Sequence, residues 1–349
     1  MKSFKSRVVY AAAHVVADPL ADNTPGRPAQ VDWEATLRFR RHLWSLGFRV
    51  ADAMDTAQRN AGLDWTATRE LIRLSAAEAP DLVACGAGTD HLTAPHDLKA
   101  VLDGYLEQIA TVQEAGAGVI IMASRQLAAL AQGPDDYHEI YGRLLAEVDR
   151  PVILHWLGEM FDPHLAGYWG SRDIGEATAS FLALIRENAS KIEGVKVSLL
   201  DEDHEIALRA ALPEGVRLYT GDDFNYPSLI KSGSHALLGI FDAIAPAASA
   251  ALTALDEGDL DEYDRIMAPT VDLSRKIFEA PTFHYKTGLV FLAWLNGHQD
   301  AFTMINGAQS ARSLPHLIEV HRLAERAGLI ADPDLAAARL RSLMAVYGQ

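Results

Sequence analysis

The chain holds one cysteine, Cys85, in 349 residues. That excludes an intramolecular disulfide and a cysteine-built zinc cluster, and the chain reads as an intracellular, cytoplasmic protein. Long apolar runs are lacking too: the longest, Leu289 to Leu295, is far too short to span a bilayer. Positive charge is scarce. Lys and Arg total 31 against 47 Asp and Glu, a formal net charge of −16 with no local basic run, so no nucleic acid or anionic membrane is expected as partner. The basic start, Lys2 to Arg7, runs straight into a strand-like segment, without the apolar stretch and cleavage site of a secretion signal. What remains is ordinary: 49% hydrophobic and 22% charged, enough for one large core and a smaller second one. A small soluble ligand is the default expectation.

Strand and helix alternate through the first two thirds. The strand-like segments are Arg7–Ala13, Phe48–Met54, Asp81–Ala84, Gly118–Met122, Pro151–Trp156, one around Lys196, Val216–Thr220 and Ala236–Ile240. Between them run helical segments: Asp32 as N-cap of a helix ending at Gly47, then Thr66–Ala79, Leu98–Ala115, Asp135–Val148, Ala177–Asn188, Glu205–Ala211 and a turn at Ser228–Ser232. Eight units of about thirty residues predict an α/β fold, a (β/α)8 TIM barrel over residues 1–255. Beyond it the strand signal stops. Helical periods at Leu260–Met267, Val271–Phe278, Phe283–Leu295, Leu314–Ala327 and Leu335–Tyr347, punctuated by Pro269, Pro281, Pro315 and Pro333, predict a C-terminal helical region over 256–349.

In such a barrel the catalytic groups sit at the carboxyl ends of the strands. Those positions hold His14, Asp55 with Thr56, Thr89 with Asp90, Ser124 with Arg125, His155, Lys196, Gly221-Asp222-Asp223 and Gly239. A single Asp, Thr or Ser there has a plain structural reading, closing a strand and capping the next helix, and Asp222 and Asp223 are of this kind. Lys196 differs, because Gly194-Val195-Lys196-Val197 places an ammonium inside an apolar strand. Burying it unpaired costs several kcal/mol, so its pKa falls, and a neutral amine in a dry pocket is a nucleophile toward carbonyl carbon. A buried ion pair is the alternative. His155 stands out for the same reason, with four apolar residues before it and Trp156 after it.

Three of these segments, Pro151-Val152-Ile153-Leu154-His155-Trp156, Gly194-Val195-Lys196 and Gly221-Asp222-Asp223, resemble in order and spacing the "PVILYN", "GIK" and "GDD" segments of the dihydrodipicolinate synthase / N-acetylneuraminate lyase family. Val31-Asp32 through Gly47 and Glu114 through Val119 are similar to two of its other segments, and Lys286 to Gly297 more faintly to its C-terminal "K.al..lG". The resemblance covers about residues 8 to 250. It implies class I aldolase chemistry, with Lys196 forming a Schiff base to a keto substrate and no metal or cofactor required. It also implies a homodimer or homotetramer.

The departures lie in the pocket. His155 stands where that family has a proton-relaying tyrosine. Asp55-Thr56-Ala57-Gln58-Arg59 replaces its carboxylate-gripping "GTTGE" loop, and Ala123-Ser124-Arg125 replaces "TPYY". An aspartate at 55 repels a carboxylate, so pyruvate held in the manner of that family is not expected. The expected substrate is a polyhydroxylated keto sugar or keto acid, cleaved or formed by aldol chemistry or dehydrated. Lys196 and His155 are the catalytic candidates. The substrate-binding candidates are Asp55, Thr56, Asp90, Ser124, Arg125, Asp222, Gly239 and His284. Two other readings stay open: a divalent-metal lyase or hydrolase using donors among His14, Asp55, Asp90, His155, Asp222 and His284, and a ligand-binding relative without turnover.

Four further expectations are structural. Arg38, Arg40 and Arg41 form a surface face beside Leu37, Phe39 and Leu43; Trp44 and Phe48 belong to the core; Gly86-Ala87-Gly88 is a tight turn; and Phe291, Trp294 and Leu295 cannot all face the barrel and mark a subunit interface. Asp90 and His91, as neighbours on a strand, are expected to point apart.

Overall fold

The computed structural model describes residues 3–94 and 97–349. Met1 and Lys2 of the basic start lie outside them. Eight strands, β1 (Val9–Ala12), β2 (Arg49–Asp52), β3 (Val83–Ala87), β4 (Gly118–Ile121), β5 (Val152–Leu157), β6 (Ile192–Ser198), β7 (Arg217–Thr220) and β8 (His235–Leu238), close into a parallel barrel in sequence order, with β8 pairing back onto β1. Around it run α1 (Trp33–Ser45), α2 (Trp65–Glu78), α3 (Leu98–Glu114), α4 (Arg125–Leu130), α5 (Pro134–Glu147), α6 (Ile174–Glu187), α7 (Glu202–Ala211), α8 (Tyr226–Lys231) and α9 (Phe241–Glu257). Four more helices follow: α10 (Leu260–Ile277), α11 (Tyr285–Leu295), α12 (Leu314–Arg326) and α13 (Pro333–Val346). The expected barrel is present, with its ends moved by one to three residues in most elements.

Much of the acidic excess is spent on helix starts. Asp32, Asp64, Asp97, Asp173, Asp201, Asp259 and Asp332 each accept a hydrogen bond from a backbone amide of the following first turn. That satisfies donors a helix cannot pair internally and puts negative charge at the positive end of its dipole. Side chains alternate along the strands between two cores. Tyr10, Ala51, Ala84, Ile120, Ile153, Tyr219 and Leu237 fill the barrel interior, while Val50, Cys85, Ile121, Leu154, Val195 and Leu218 pack outward under the helices.

Several expectations are corrected. α9 was not anticipated, and it runs across residue 255, where the barrel was expected to end. α10 is one helix that passes through Pro269, not two. Gly86 belongs to β3 rather than to a turn; a Cβ there would lie 2.5 Å from Met122 Sδ and 2.6 Å from the Ala53 carbonyl, so a strand residue with any side chain would not fit. Arg40 is fully buried, its guanidinium bonded to both oxygens of Asp52 at 3.1 and 2.7 Å, while Arg41 is on the outside against Glu34 and Glu78. Every residue of α11 is buried, and Phe291, Trp294 and Leu295 pack within this chain, so they mark no subunit interface. Trp44 and Phe48 are in the core. Among the described residues, no helix is long and apolar enough to cross a membrane.

Candidate functional site

β6 carries the centre of the site. Its outward residues Val195 and Val197 lock it to the helical layer, which turns Gly194, Lys196 and Ser198 into the barrel. Lys196 sits beside His155 of β5 and Tyr219 of β7 in register. Two glycines permit the close packing around it. At Gly194 a Cβ would meet the Tyr219 ring at 2.6 Å, and at Gly221 it would meet Ser198 Oγ at 2.1 Å, the Val197 carbonyl at 2.8 Å and Lys196 Cε at 2.9 Å. The glycine of Gly221-Asp222-Asp223 is therefore required by the close approach of Val197, Ser198 and Lys196 together.

Lys196 is 7% exposed and forms no hydrogen bond or ion pair among the described residues. Burial lowers its pKa, against the attraction of Asp55 and Asp223. His155 Nε2 lies 3.3 Å from Ser198 Oγ, and its Nδ1 is buried without a partner among the described residues. Burial, with the Lys196 charge added, holds the imidazole well below its usual value, so it is neutral. Asp223 is pushed up by burial, against the Ile240 amide that donates to it at 2.8 Å and against the Lys196 charge. The three groups form a dry set of one amine, one imidazole and one carboxyl with spare hydrogen-bonding capacity.

Over the barrel mouth lies a cavity of about 290 Å³, whose walls include Asp55, Arg125, Phe161, Asp162, Tyr285 and Lys286. The C-terminal region closes it: Tyr285 bonds Thr56 Oγ1 at 2.9 Å and stacks on Phe278 with ring centres 4.4 Å apart. Lys286 is 8% exposed, and burial lowers it to about 8. A larger groove, about 1010 Å³, runs on the flank between residues 26–30 and α2 and touches no expected site residue.

The structure places the other candidates as follows. Asp55 lines the cavity and its carboxylate accepts no hydrogen bond among the described residues, while Thr56 is tied to Tyr285. Asp90 is locked to Arg59, and to Gln108 at 3.0 Å; burial opposes its ionisation, but the Arg59 charge outweighs this and holds it at about 2. His91 turns to the same Gln108 at 2.8 Å, because both residues lie in a loop and not on a strand. Ser124 caps α4 through the Leu127 amide at 2.9 Å, and Thr89 bonds its hydroxyl at 2.6 Å. Arg125 pairs with Asp162 at 2.6 Å on the cavity wall. Asp222 accepts from the Phe224 and Asn225 amides and the Asn225 side chain, a turn-building role; its neighbour Asp223 is the one that faces Lys196. Gly239 is where Phe278 and Tyr285 approach the barrel, a Cβ there lying 3.1 and 3.3 Å from their rings. His284 packs on the Phe283 ring beside the cavity without lining it.

His14 is held by Asp242 at 2.8 Å and Gln299 at 3.2 Å. Among the described residues, no group of three or more His, Cys, Asp or Glu side chains gathers closely enough to hold a metal ion. Sequence reasoning passed over Ser198, Tyr285 and Lys286. Only Lys286 had left a signal, in the segment resembling "K.al..lG".

The model of the family described as "Protein of unknown function (DUF993)" matches residues 1–349. No curated protein matches the chain. Solved structures do. The 4-hydroxy-tetrahydrodipicolinate synthase from the thermoacidophilic methanotroph Methylacidiphilum fumariolicum SolV is 15% identical, with a TM-score of 0.72 over 93% of this chain and 96% of that one. Dihydrodipicolinate synthase from Aquifex aeolicus is 15% identical, with a TM-score of 0.69 over 93% and 99%. A putative dihydrodipicolinate synthase family protein from Coccidioides immitis is 17% identical, with a TM-score of 0.65 over 95% and 98%. The fold is that of the dihydrodipicolinate synthase family at full length.

Proposed function

This chain belongs to the DUF993 family, and we propose that it is a Schiff-base lyase of the class I aldolase type acting on a polyhydroxylated keto compound. The observation that carries the proposal is Lys196: an inward, buried amine with no hydrogen bond or ion pair among the described residues, lowered in pKa, beside a neutral imidazole. The fold shared with dihydrodipicolinate synthases, Schiff-base lyases by the resemblance drawn above, supports it.

The amine of Lys196 attacks the ketone carbon to form a carbinolamine, which loses water to give an iminium. A base takes the proton of the hydroxyl two carbons away. The carbon–carbon bond breaks, its electron pair flows into the iminium, and an aldehyde and an enamine result. Protonation of the enamine carbon and hydrolysis release the second product and the free lysine. His155 is the proton carrier: neutral, with a free Nδ1, it is able to accept a proton and return it. Asp55 and Ser198 offer acceptors to substrate hydroxyls at the rim and in the barrel.

Borohydride reduction in the presence of a panel of keto sugars and hydroxylated keto acids tests this. An irreversible adduct on the Lys196 peptide is expected with at least one of them, and none in Lys196→Met. A turned-over substrate that leaves no adduct at Lys196 would overturn the proposal.

A further inference from the structure

Lys286 is a second buried lysine, and the imine chemistry above does not use it. Its ammonium has three protons to donate and one acceptor, the Phe283 carbonyl at 3.2 Å, with the Tyr285 ring centre 4.4 Å away. It forms no ion pair among the described residues, although it lines the mouth cavity and is only 8% exposed. The neighbouring cations are committed: Arg125 to Asp162 at 2.6 Å, and Arg59 to Asp90. Among the described residues, Lys286 is therefore the cation of the cavity wall that has no carboxylate paired to it. Asp55 and Asp162 attract this ammonium without pairing to it; a buried ammonium with no direct ion pair is costly, and a bound anion offsets that cost.

One uncommitted positive charge in about 290 Å³ matches a carboxylate better than a phosphate dianion. Lys196 lies below, inside the barrel, and does not line this cavity; Asp55, whose carboxylate accepts no hydrogen bond among the described residues, does. We propose that Lys286 anchors a substrate carboxylate at the end of the molecule remote from its carbonyl, with Asp55 accepting from a hydroxyl between the two ends. The carbonyl end of this proposal rests on the Schiff-base reading, while the carboxylate end stands on the cavity alone.

The test compares 4-oxopentanoate and 6-oxoheptanoate with their methyl esters in borohydride trapping at Lys196, in wild type, Lys286→Met and Lys286→Arg. At least one acid is expected to trap at about tenfold lower concentration than its ester, a difference of ~1.4 kcal/mol. The preference is expected to vanish in Lys286→Met and to survive in Lys286→Arg. Equal trapping of acid and ester in both pairs, or a preference that persists in Lys286→Met, overturns the anchor while leaving the Schiff base standing. If nothing traps at Lys196, the Schiff-base reading falls, and calorimetric binding of the two acids decides the anchor. Weaker binding to Lys286→Met than to Lys286→Arg supports it, and equal binding overturns it.

Discussion

The two sides of the barrel mouth treat buried charge in opposite ways. Between β1 and β3, Arg40 bonds both oxygens of Asp52, which also accepts from Ser75 at 2.6 Å. Arg59 there holds Asp90, Gln108 and the carbonyls of Ala53 and Gly86. Between β5 and β7, Lys196 has no partner among the described residues and His155 has a bare Nδ1. Satisfied buried charge fixes structure; unsatisfied buried charge is held ready for a ligand. The first side is a frame, and the second, in the proposed function, is the reagent.

Substitutions on the two sides should separate stability from chemistry. The largest stability effect is expected at Arg40→Met, which strands Asp52 in the core and should cost about 3–5 kcal/mol in urea unfolding. Borohydride labelling of Lys196 should persist in that variant wherever it is folded. Arg41→Ala, on the exposed face of the same helix, should stay within about 1 kcal/mol and serves as its control. A large activity loss with unchanged stability in Arg40→Met would break the distinction between frame and reagent. A smaller stability effect is expected at Gly221→Ala. Its new methyl would press on Lys196 Cε and Ser198 Oγ, costing about 1–3 kcal/mol by overpacking and displacing the amine, so labelling of Lys196 should slow. Unchanged labelling in that variant would show that the lysine does not depend on the room Gly221 provides.

The barrel was legible because its signals are local: strand-like apolar segments alternating with helical ones, the first helix bounded by Asp32 and Gly47. The Lys196 strand was legible because an ammonium inside an apolar run is a conflict that pattern alone reveals. Arg40 was misread although the spacing held the answer. It lies three residues from Leu37 and Leu43 and four from Trp44, on the stripe that faces the core. α11 likewise announces its burial, since a helix apolar on all sides belongs inside. Other features were out of reach. Beyond the end of β7 the strand alternation lapses, so nothing in Asp222-Asp223 tells which carboxylate turns to the lysine and which builds the turn. Tyr285 and Lys286 reach the mouth only through the tertiary path of the C-terminal helices, about ninety residues from Lys196 in the chain.

The central claim is that Lys196 is an amine with a lowered pKa, ready to act as a nucleophile. Burial destabilises its charged form, while Asp55 and Asp223 pull the other way without cancelling that effect. Competitive acetylation of the folded protein across a pH series, read peptide by peptide, gives the protonation midpoint of Lys196 directly. A midpoint below the ~10.4 of a free lysine is predicted, moving lower still in Asp223→Asn, which removes a charge that holds the proton. A midpoint at or above the free value would contradict the account, because Lys196 would then be the buried half of an ion pair.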